Sequence, residues 1–439
     1  MFVFNILSIF PEIVKCFTNY SLINKAIEKN LIKFNFLNLR DFTKDKHKQI
    51  DDEPYGGGSG MVFKVEPVYN ALCSLKTNER GKVILLSAKG EKFTNSLAKK
   101  LSKENSLTLI CCRYEGIDER ISNFIDYEVS IGDYVLMGGE IPACVIIEAV
   151  SRLIPGVVGK EDSVKFESYE DIFLEYPHYT RPENFNGLMV PQVLLSGNHK
   201  EIENWRKKKS IENTINRRFD LIRNRKRPLD SSEVLEIKNT LQNKFEIYIG
   251  LVHFPVYNKK NEIVLTAITN MDIHDISRIS RTYGIKKYFL ITPDEEQKAY
   301  ALRIINHWKN GYGREYNPSR KEALKVIDIK ESIEDAINEI KKISSKNLIT
   351  IGTSAKKRKN EITFQKLNEL AKDNAIFLIF GTGWGLTEEI LDSMDYILEP
   401  IYGLTDFNHL SVRSAVSIIV DRLIGFSSNG TYENGYPRI

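Results

Sequence analysis

Ser130-Ile131-Gly132-Asp133-Tyr134-Val135-Leu136-Met137-Gly138-Gly139-Glu140 follows a short β-type run, Tyr127 to Ser130, and leads into a helical pattern from Pro142 to Leu153. A strand that ends in a glycine-rich loop and passes into an apolar helix is the unit from which α/β domains with parallel sheets are built. Outward from it, Val3 to Leu7, Ile32 to Leu37, Lys82 to Leu86 and Leu107 to Cys111 are further strand-like runs, with a helical pattern at Phe93 to Leu101. The first 155 or so residues therefore read as one α/β domain with a largely parallel sheet.

The segment from Gly156 to Tyr176 is charged and mixed and reads as a linker; Val190 to Leu241 is helical and basic, without strand alternation. A second alternating series follows, with strands expected at Ile247 to Val252, Ile263 to Ile268, Lys287 to Ile291, Val326 to Ile329, Leu348 to Ile351, Ile376 to Phe380 and Tyr396 to Leu398. Asp294 and Ser332 stand where helix N-caps belong, and a last helix from about His409 puts Val412, Val416, Ile419, Val420 and Leu423 on one face. The organisation is two α/β domains flanking a small basic all-α domain: residues 1–158, a linker at 159–176, helices at 177–244 and a second α/β domain at 245–439. The tail beyond the last helix is expected to be loose.

The chain has 439 residues, 42% hydrophobic and 27% charged, the composition of an ordinary globular protein. No apolar run reaches the ~18 residues that cross a bilayer, so no membrane role is expected. Met1 to Phe10 is apolar, but no Lys or Arg precedes it and Pro11-Glu12 follows, so it reads as a first strand rather than a secretory signal, and a cytoplasmic location is expected. The cysteines Cys16, Cys73, Cys111, Cys112 and Cys144 form no C-x-x-C pair; buried thiols are expected, with neither disulfides nor a metal site.

The net charge of +4 conceals an asymmetry. Between Asn204 and Leu229 ten Lys or Arg face only Glu212 and Asp220, which leaves +8 in one stretch and −4 in the remainder. A basic patch in an otherwise slightly acidic chain suits a phosphate backbone. A second basic run, Lys356-Lys357-Arg358-Lys359, follows the strand at Leu348 to Ile351.

In an open α/β sheet, loops at the carboxyl ends of strands converge on one ligand crevice. Three such loops, Leu86-Ser87-Ala88-Lys89-Gly90, Cys112 to Arg120 and Ser130 to Glu140, mix glycine with apolar and carboxylate residues. That mixture suits a ligand with an adenine to enclose, a ribose to hydrogen-bond and a positive centre to balance. Asp51-Asp52-Glu53-Pro54-Tyr55-Gly56-Gly57-Gly58-Ser59-Gly60-Met61 adds a glycine turn that lacks both the P-loop and the dinucleotide spacing.

These segments, with Pro177-His178-Tyr179-Thr180-Arg181-Pro182 and Leu195 to Arg206, resemble the bacterial tRNA (guanine-N1)-methyltransferase family of the SPOUT class over roughly residues 1 to 225. The resemblance implies a homodimer whose parallel sheet ends in a trefoil knot, an exception to the usual unknotted chain. It implies methyl transfer from S-adenosylmethionine to N1 of the guanine 3′ of the anticodon in tRNA, with Mg2+ as a further implied partner although no ligand set for it is visible, and no role on DNA. Carried over by position, the cofactor pocket comprises Leu85, Leu86, Ser87, Ala88, Lys89, Tyr114, Glu115, Gly116, Ile131, Gly132, Tyr134, Leu136, Gly138 and Gly139. RNA contacts fall on Asp51, Gly60, His178, Arg181, Ser196, Asn198, His199, Arg206, Lys207 and Lys208. Arg152 matches the arginine at the guanine.

Neutral guanine carries a proton on N1, so a carboxylate must accept it while a cation stabilises charge growing on O6. Where the family has a catalytic aspartate, Glu167-Ser168-Tyr169 offers a glutamate; Glu167 is the expected base, with Asp162 and Asp171 as alternatives. Ser59 replaces the proline usual in the glycine turn, and a slight loosening there is expected.

In the second half, Ile376 to Phe380 runs into Gly381-Thr382-Gly383-Trp384-Gly385. The third glycine comes one residue too soon for a dinucleotide fingerprint. With Ile351-Gly352-Thr353-Ser354 and Glu399 to Leu404, and a closing run Asp406 to Ala415, this half is similar to SPOUT RNA methyltransferases over about residues 246 to 425, and the resemblance implies a second knotted domain with a ribose 2′-hydroxyl as its target. Its implied cofactor contacts are Gly352, Thr353, Gly381, Gly383, Gly385, Ile401 and Leu410, and Arg303 and Arg413 are candidates for activating a hydroxyl. The alternative is a non-catalytic cofactor- or RNA-binding module. His253, His274, Asp272 and Asp275 read as capping and core groups at a helix entrance, with Asp272 as the cap, rather than as a metal cluster.

Overall fold

In the computed structural model, which describes residues 1–158, 167–225, 227–405 and 407–426, the chain divides into two compact units, Met1–Asp171 and Ile172–Ile439. The first unit holds five strands: β1 (Phe2–Ser8), β2 (Ile32–Asn38), β3 (Lys82–Lys92), β4 (Ser106–Cys111) and β5 (Tyr127–Ser130). They pair in the order β2-β1-β4-β3-β5, every pair parallel. β4 is buried at all six positions, as expected of a central strand covered on both faces, and it reads as a nearly continuous apolar run for that reason.

Two cores flank this sheet. Phe4, Ile6, Ile84, Leu107 and Leu109 pack with Ile146, Ile147 and Val150 of helix α1 (Glu140–Ser151); Leu7, Leu85 and Ile110 pack with Phe63, Val68 and Leu72 on the other face. Each fully buried Leu, Ile or Phe contributes on the order of 1.5–3 kcal/mol. The helix Val65–Ser74 and the paired two-residue strands Asp51–Asp52 and Val62–Phe63 had no counterpart in the sequence reading. Cys111, Cys112 and Cys144 are buried as expected, whereas Cys16 and Cys73 are exposed on helix surfaces.

The second unit holds a seven-stranded, wholly parallel sheet. Its strands are β6 (Glu246–Val252), β7 (Lys287–Ile291), β8 (Ile327–Lys330), β9 (Leu348–Thr353), β10 (Glu361–Ile362), β11 (Ala375–Gly381) and β12 (Tyr396–Leu398), in the order β8-β7-β6-β11-β9-β12-β10. The run expected as a strand at Ile263 to Ile268 shrinks to Ile263–Val264, which pairs antiparallel with Val256–Tyr257 outside the main sheet.

The basic segment forms α2 (His199–Arg217), a short helix Phe219–Arg223 and α3 (Ser231–Lys244), preceded by a two-residue hairpin at Asn184–Phe185 and Leu188–Met189. Ile211, Ile215, Ile222, Ile237 and Leu241 belong to the same core as Ile247, Ile249 and Leu251 of β6 and Val416, Ile419 and Val420 of the last helix. The helices and the second sheet thus share one interior. The Arg223 guanidinium donates to the carbonyls of Leu423 (2.9 Å) and Gly425 (3.1 Å), closing the end of the last helix.

The caps confirm the local reading with one correction. Asp294 and Ser332 cap their helices, and the last helix, α5 (Val412–Ile424), begins three residues beyond His409 with Ser411 as its cap. At α4 (Asn270–Tyr283) the N-cap is Thr269; Asp272 is its partner three residues on, completing a capping box. No helix among the described residues is long and apolar enough to cross a membrane.

Candidate functional site

The site in the first unit begins with an irregularity in β3. Leu86 and Glu91 both stand opposite Val129 of β5, so Ser87 to Gly90 bulge out of the ladder. The chain returns at Gly90, where a Cβ would lie 2.4 Å from the Val129 nitrogen; only glycine permits that approach. The bulge, the loop after β4 and the loop after β5 enclose a cavity of about 490 Å³. All fourteen residues expected in the first pocket, Leu85 to Lys89, Tyr114 to Gly116, Ile131, Gly132, Tyr134, Leu136, Gly138 and Gly139, line it.

The walls are apolar through Leu86, Ile131 and Leu136, with carboxylates at Glu115, Glu119 and Glu128. The Lys89 ammonium lies 2.7 Å from Glu119 and 3.8 Å from Glu128, and its bond to Glu119 raises its pKa. Oε1 of Glu128, the oxygen that Lys89 approaches, is buried and accepts no hydrogen bond among the described residues. Sequence reading passed over Glu119 and Glu128; an acidic residue within the short strand Tyr127–Ser130 was the available signal. Arg113, also in the wall, stacks over Phe10 and bonds the buried Glu140, which accepts in turn from Ser8. Burial pushes the Cys111 and Cys112 thiols well up and Cys144 to about 11, so none is a thiolate at neutral pH.

Arg152 and Glu167 meet each other: Nη2 stands 2.6 Å from Oε1, and this bond raises the arginine pKa. Neither lines the cavity. Gly139 and Pro142, at the start of α1, do, whereas Arg152 follows its last residue. The Cα of Arg152 thus lies ten residues, or about 15 Å of helix rise, beyond Pro142. The linker carrying Glu167 is fixed at its far side by Lys99 to Glu170 (2.6 Å) and Asn95 to the Tyr169 carbonyl (3.1 Å). Asp171 closes the first unit, and Asp162 lies outside the described residues.

The residues expected at RNA fall into separate groups. Asp51 pairs with Phe63, and Gly60 adjoins Glu115. In the second unit, His178 is 3.8 Å from Glu175 and packs on Tyr176, whose ring also carries the Arg206 guanidinium. Arg181 precedes a cis proline, Ser196 bonds the Val193 carbonyl, and Asn198 caps α2 at His199. Lys207 pairs with Asp230, Lys208 with Glu236 and Lys209 with Glu212. Arg218 is bound to Asp220 and Arg227 to Glu233, while Arg225 is buried. The net positive stretch is thus partly neutralised by acidic residues of α2, α3 and their caps, and two of its arginines serve the fold.

In the second unit β11, β9 and β12 are adjacent and parallel, so the loops after them share one edge. Gly352 and Thr353 end β9, Gly381 ends β11 with Gly383 and Gly385 just beyond it, and Ile401 and Leu410 lie after β12. Asn408 Nδ2 donates to the Ala355 carbonyl (2.9 Å), tying two of the loops together. Beneath the glycine loop His253 is fully buried; its Nδ1 faces Thr266 Oγ1 at 3.2 Å, Thr266 meets Thr382, and the histidine Nε2 has no hydrogen-bond partner among the described residues. Burial lowers its pKa to about 4. Arg413 is engaged by Asp275 (3.2 Å) and Asp272 (3.8 Å), and Arg303 is exposed on the helix Glu295–Lys309. Among the described residues no group of three or more His, Cys, Asp or Glu could hold a metal.

Residues 2–224 match the family described as tRNA (Guanine-1)-methyltransferase TrmD, and residues 246–425 match one described as SAM-dependent RNA methyltransferase. A tRNA (guanine-N(1)-)-methyltransferase of Oleidesulfovibrio alaskensis is 40% identical over 96% of this chain and 99% of its own length. The protein of the same name from Nitratidesulfovibrio vulgaris is 41% identical over 96% of this chain and 98% of its own. That of Carboxydothermus hydrogenoformans is 56% identical, over 50% of this chain and 87% of its own. With a family match covering half its length and relatives that align nearly end to end, the chain belongs to the tRNA (guanine-1)-methyltransferase TrmD family.

Proposed function

We propose that the chain methylates N1 of the guanine 3′ of the anticodon in tRNA, using S-adenosylmethionine, and that it works in the cytoplasm as a homodimer. The observation that carries the reading is the Arg152–Glu167 pair: one guanidinium and one carboxylate oxygen 2.6 Å apart, the two charges that N1 methylation of guanine needs. The cavity fits the cofactor in kind. It joins apolar walls for an adenine to the carboxylates of Glu115, Glu119 and Glu128 for a ribose and a sulfonium.

S-adenosylmethionine, when bound, supplies an electrophilic methyl group. Glu167 accepts the N1 proton, so that the nitrogen lone pair becomes available as the new N–C bond forms. Arg152 donates toward O6, where negative charge collects as the proton leaves. The apolar walls exclude water, and the bulge at Ser87 to Gly90 fixes one side of the cavity. The extruded guanine must leave its stack to reach such a site.

The pair does not line the cavity of its own chain, which supports the proposed homodimer: in it a second copy would bring its Arg152 and Glu167 to this cavity. Ile141 and Val145 on α1, and Val135, Leu136 and Met137 beside it, are exposed apolar residues that a second copy would cover. The strand order β2-β1-β4-β3-β5 is compatible with a trefoil knot, which we assign to both sheets on the family's pattern. Asp51, Gly60, His178, Arg181, Ser196, Asn198, His199, Arg206, Lys207 and Lys208 are the proposed contacts to the anticodon stem-loop, with phosphate contacts setting register rather than reading bases. No step is assigned to magnesium.

The second unit's sheet is proposed as a second SPOUT-type methyltransferase acting on RNA, with Gly352, Thr353, Gly381, Gly383, Gly385, Ile401 and Leu410 at its cofactor. A specific observation favours the alternative of a binding module: Arg413, the cation suited to activating a hydroxyl, is already engaged by Asp272 and Asp275. Nucleoside mass spectrometry of tRNA treated with the full chain tests both. 1-Methylguanosine that disappears in Glu167→Gln is expected; its persistence would refute the assignment. A second methylated nucleoside that survives Glu167→Gln would make the rear sheet an enzyme.

A further inference from the structure

At the edge where the loops after β9, β11 and β12 meet, three rings stand in a row. Phe407 and His409 have centroids 5.5 Å apart, and His409 and Trp384 6.3 Å apart. Trp384 and Phe407 are 56% and 71% exposed, and His409 is exposed between them. Isolated exposed hydrophobic residues need no explanation, but a contiguous aromatic row marks a contact surface.

The row is built to stay in place. The Trp384 backbone N–H donates to the Tyr257 carbonyl (2.8 Å), and the Tyr257 N–H donates to the Gly385 carbonyl (2.9 Å). Gly383 turns the loop with φ +58, and a Cβ there would lie 2.9 Å from the Tyr257 carbonyl oxygen, so the turn requires glycine. The bond from Asn408 to Ala355 holds the Phe407–His409 end next to Lys356, Lys357 and Lys359, all exposed. Among the described residues no ammonium of these three lysines has an ion-pair partner, whereas Arg358 is taken by Glu388.

Exposed rings, set edge to face at 63° and 71°, beside lysines without an ion pair among the described residues match a chain that alternates flat bases and phosphates. A protein partner fits less well, since lysines are depleted from protein interfaces. A duplex fits less well too, because it keeps its base faces stacked inside; unpaired nucleotides expose them. We infer that this row is a docking platform for an unpaired segment of RNA, with bases on Trp384, His409 and Phe407 and phosphates on Lys356, Lys357 and Lys359. The inference deepens the RNA reading of the second unit and rests on it for the kind of nucleic acid.

The test uses the full chain and two probes, a fluorescein-labelled octaadenylate and a blunt RNA duplex of the same length. Trp384→Ala and Phe407→Ala should each weaken octamer binding by about fivefold to 100-fold, as for lost base–aromatic stacks. Lys356→Glu with Lys357→Glu should weaken it further and reduce the salt slope by about one to two. Duplex binding should not change, and Trp384→Phe, which keeps a ring, should retain most of the affinity, separating stacking from misfolding. Octamer binding unchanged in both ring variants, or a parallel loss of duplex binding, would overturn the platform. Methyl incorporation is scored separately: binding without a second methylated nucleoside leaves the platform standing and removes the second enzyme, and the reverse result does the opposite.

Discussion

The Nη2 of Arg152 and Oε1 of Glu167 are 2.6 Å apart, and helix α1 separates both from the cavity at its other end. In the proposed homodimer, one copy's pair serves the other copy's cavity. Glu167→Gln alone should lose about 10²–10⁴-fold in rate, as for a missing general base. Ser87→Trp, which fills the cavity, should be equally inactive. Co-expressed in equal amounts, the two should regain about a quarter of wild-type activity, since half the dimers are mixed and each mixed dimer has one complete site. Single-turnover rates on the mixture check this, and no recovery would place the pair's action elsewhere.

Gly90 closes the bulge against the backbone of β5. Gly90→Ala forces a Cβ to within 2.4 Å of the Val129 nitrogen, and should cost about 1–3 kcal/mol of stability as an overpacked site. Because the displaced segment is the cavity wall itself, cofactor affinity should fall with it. Urea unfolding and calorimetric titration on the same preparation measure the two effects.

His253 stays neutral in the folded protein, its pKa lowered to about 4 by burial. Below the ordinary histidine value of about 6.5 the unfolded chain takes up a proton that the folded one refuses, so stability is full above that pH and falls as the pH drops toward 4. The loss approaches about 3 kcal/mol by pH 4. His253→Gln should remove this part of the pH dependence. Unfolding midpoints between pH 7 and 4.5 for both proteins would show it; parallel curves would contradict it.

Arg223 and Arg206 lie in one basic stretch but should behave differently. Arg223→Ala removes charged hydrogen bonds to the Leu423 and Gly425 carbonyls and should cost about 1.5–3 kcal/mol of stability, with the salt dependence of tRNA binding unchanged. Arg206→Ala should leave the melting temperature nearly unaltered and lower the salt slope of binding by about one. Thermal unfolding and filter binding at several salt concentrations separate the two.

Much of this was legible in the chain itself. The strands Tyr127–Ser130, Lys287–Ile291 and Tyr396–Leu398 fall where period and β-propensity placed them, because buried parallel strands are written as apolar runs. The fourteen pocket positions came from the family resemblance, carried over by position onto loops that the strand pattern had already placed at the carboxyl ends of one sheet. What the sequence concealed was tertiary. It could not tell that Lys207, Lys208 and Lys209 would each meet a carboxylate, nor that Arg223 would serve a helix two hundred residues away. It mistook Asp272 for the cap because both members of a capping box carry suitable side chains, and it over-read Ile263 to Ile268 because β-branched residues occur in short hairpins as well as in sheets.

The bond between Arg223 and Leu423 spans 200 residues of chain. A ribosome adding about 5–20 residues per second delivers the second partner roughly 10–40 s after the first. Throughout that interval the part of this core that Val416, Ile419 and Val420 complete is open beside an unanswered guanidinium, so nascent copies halted before the final helix should be the form that chaperones retain and proteases find first.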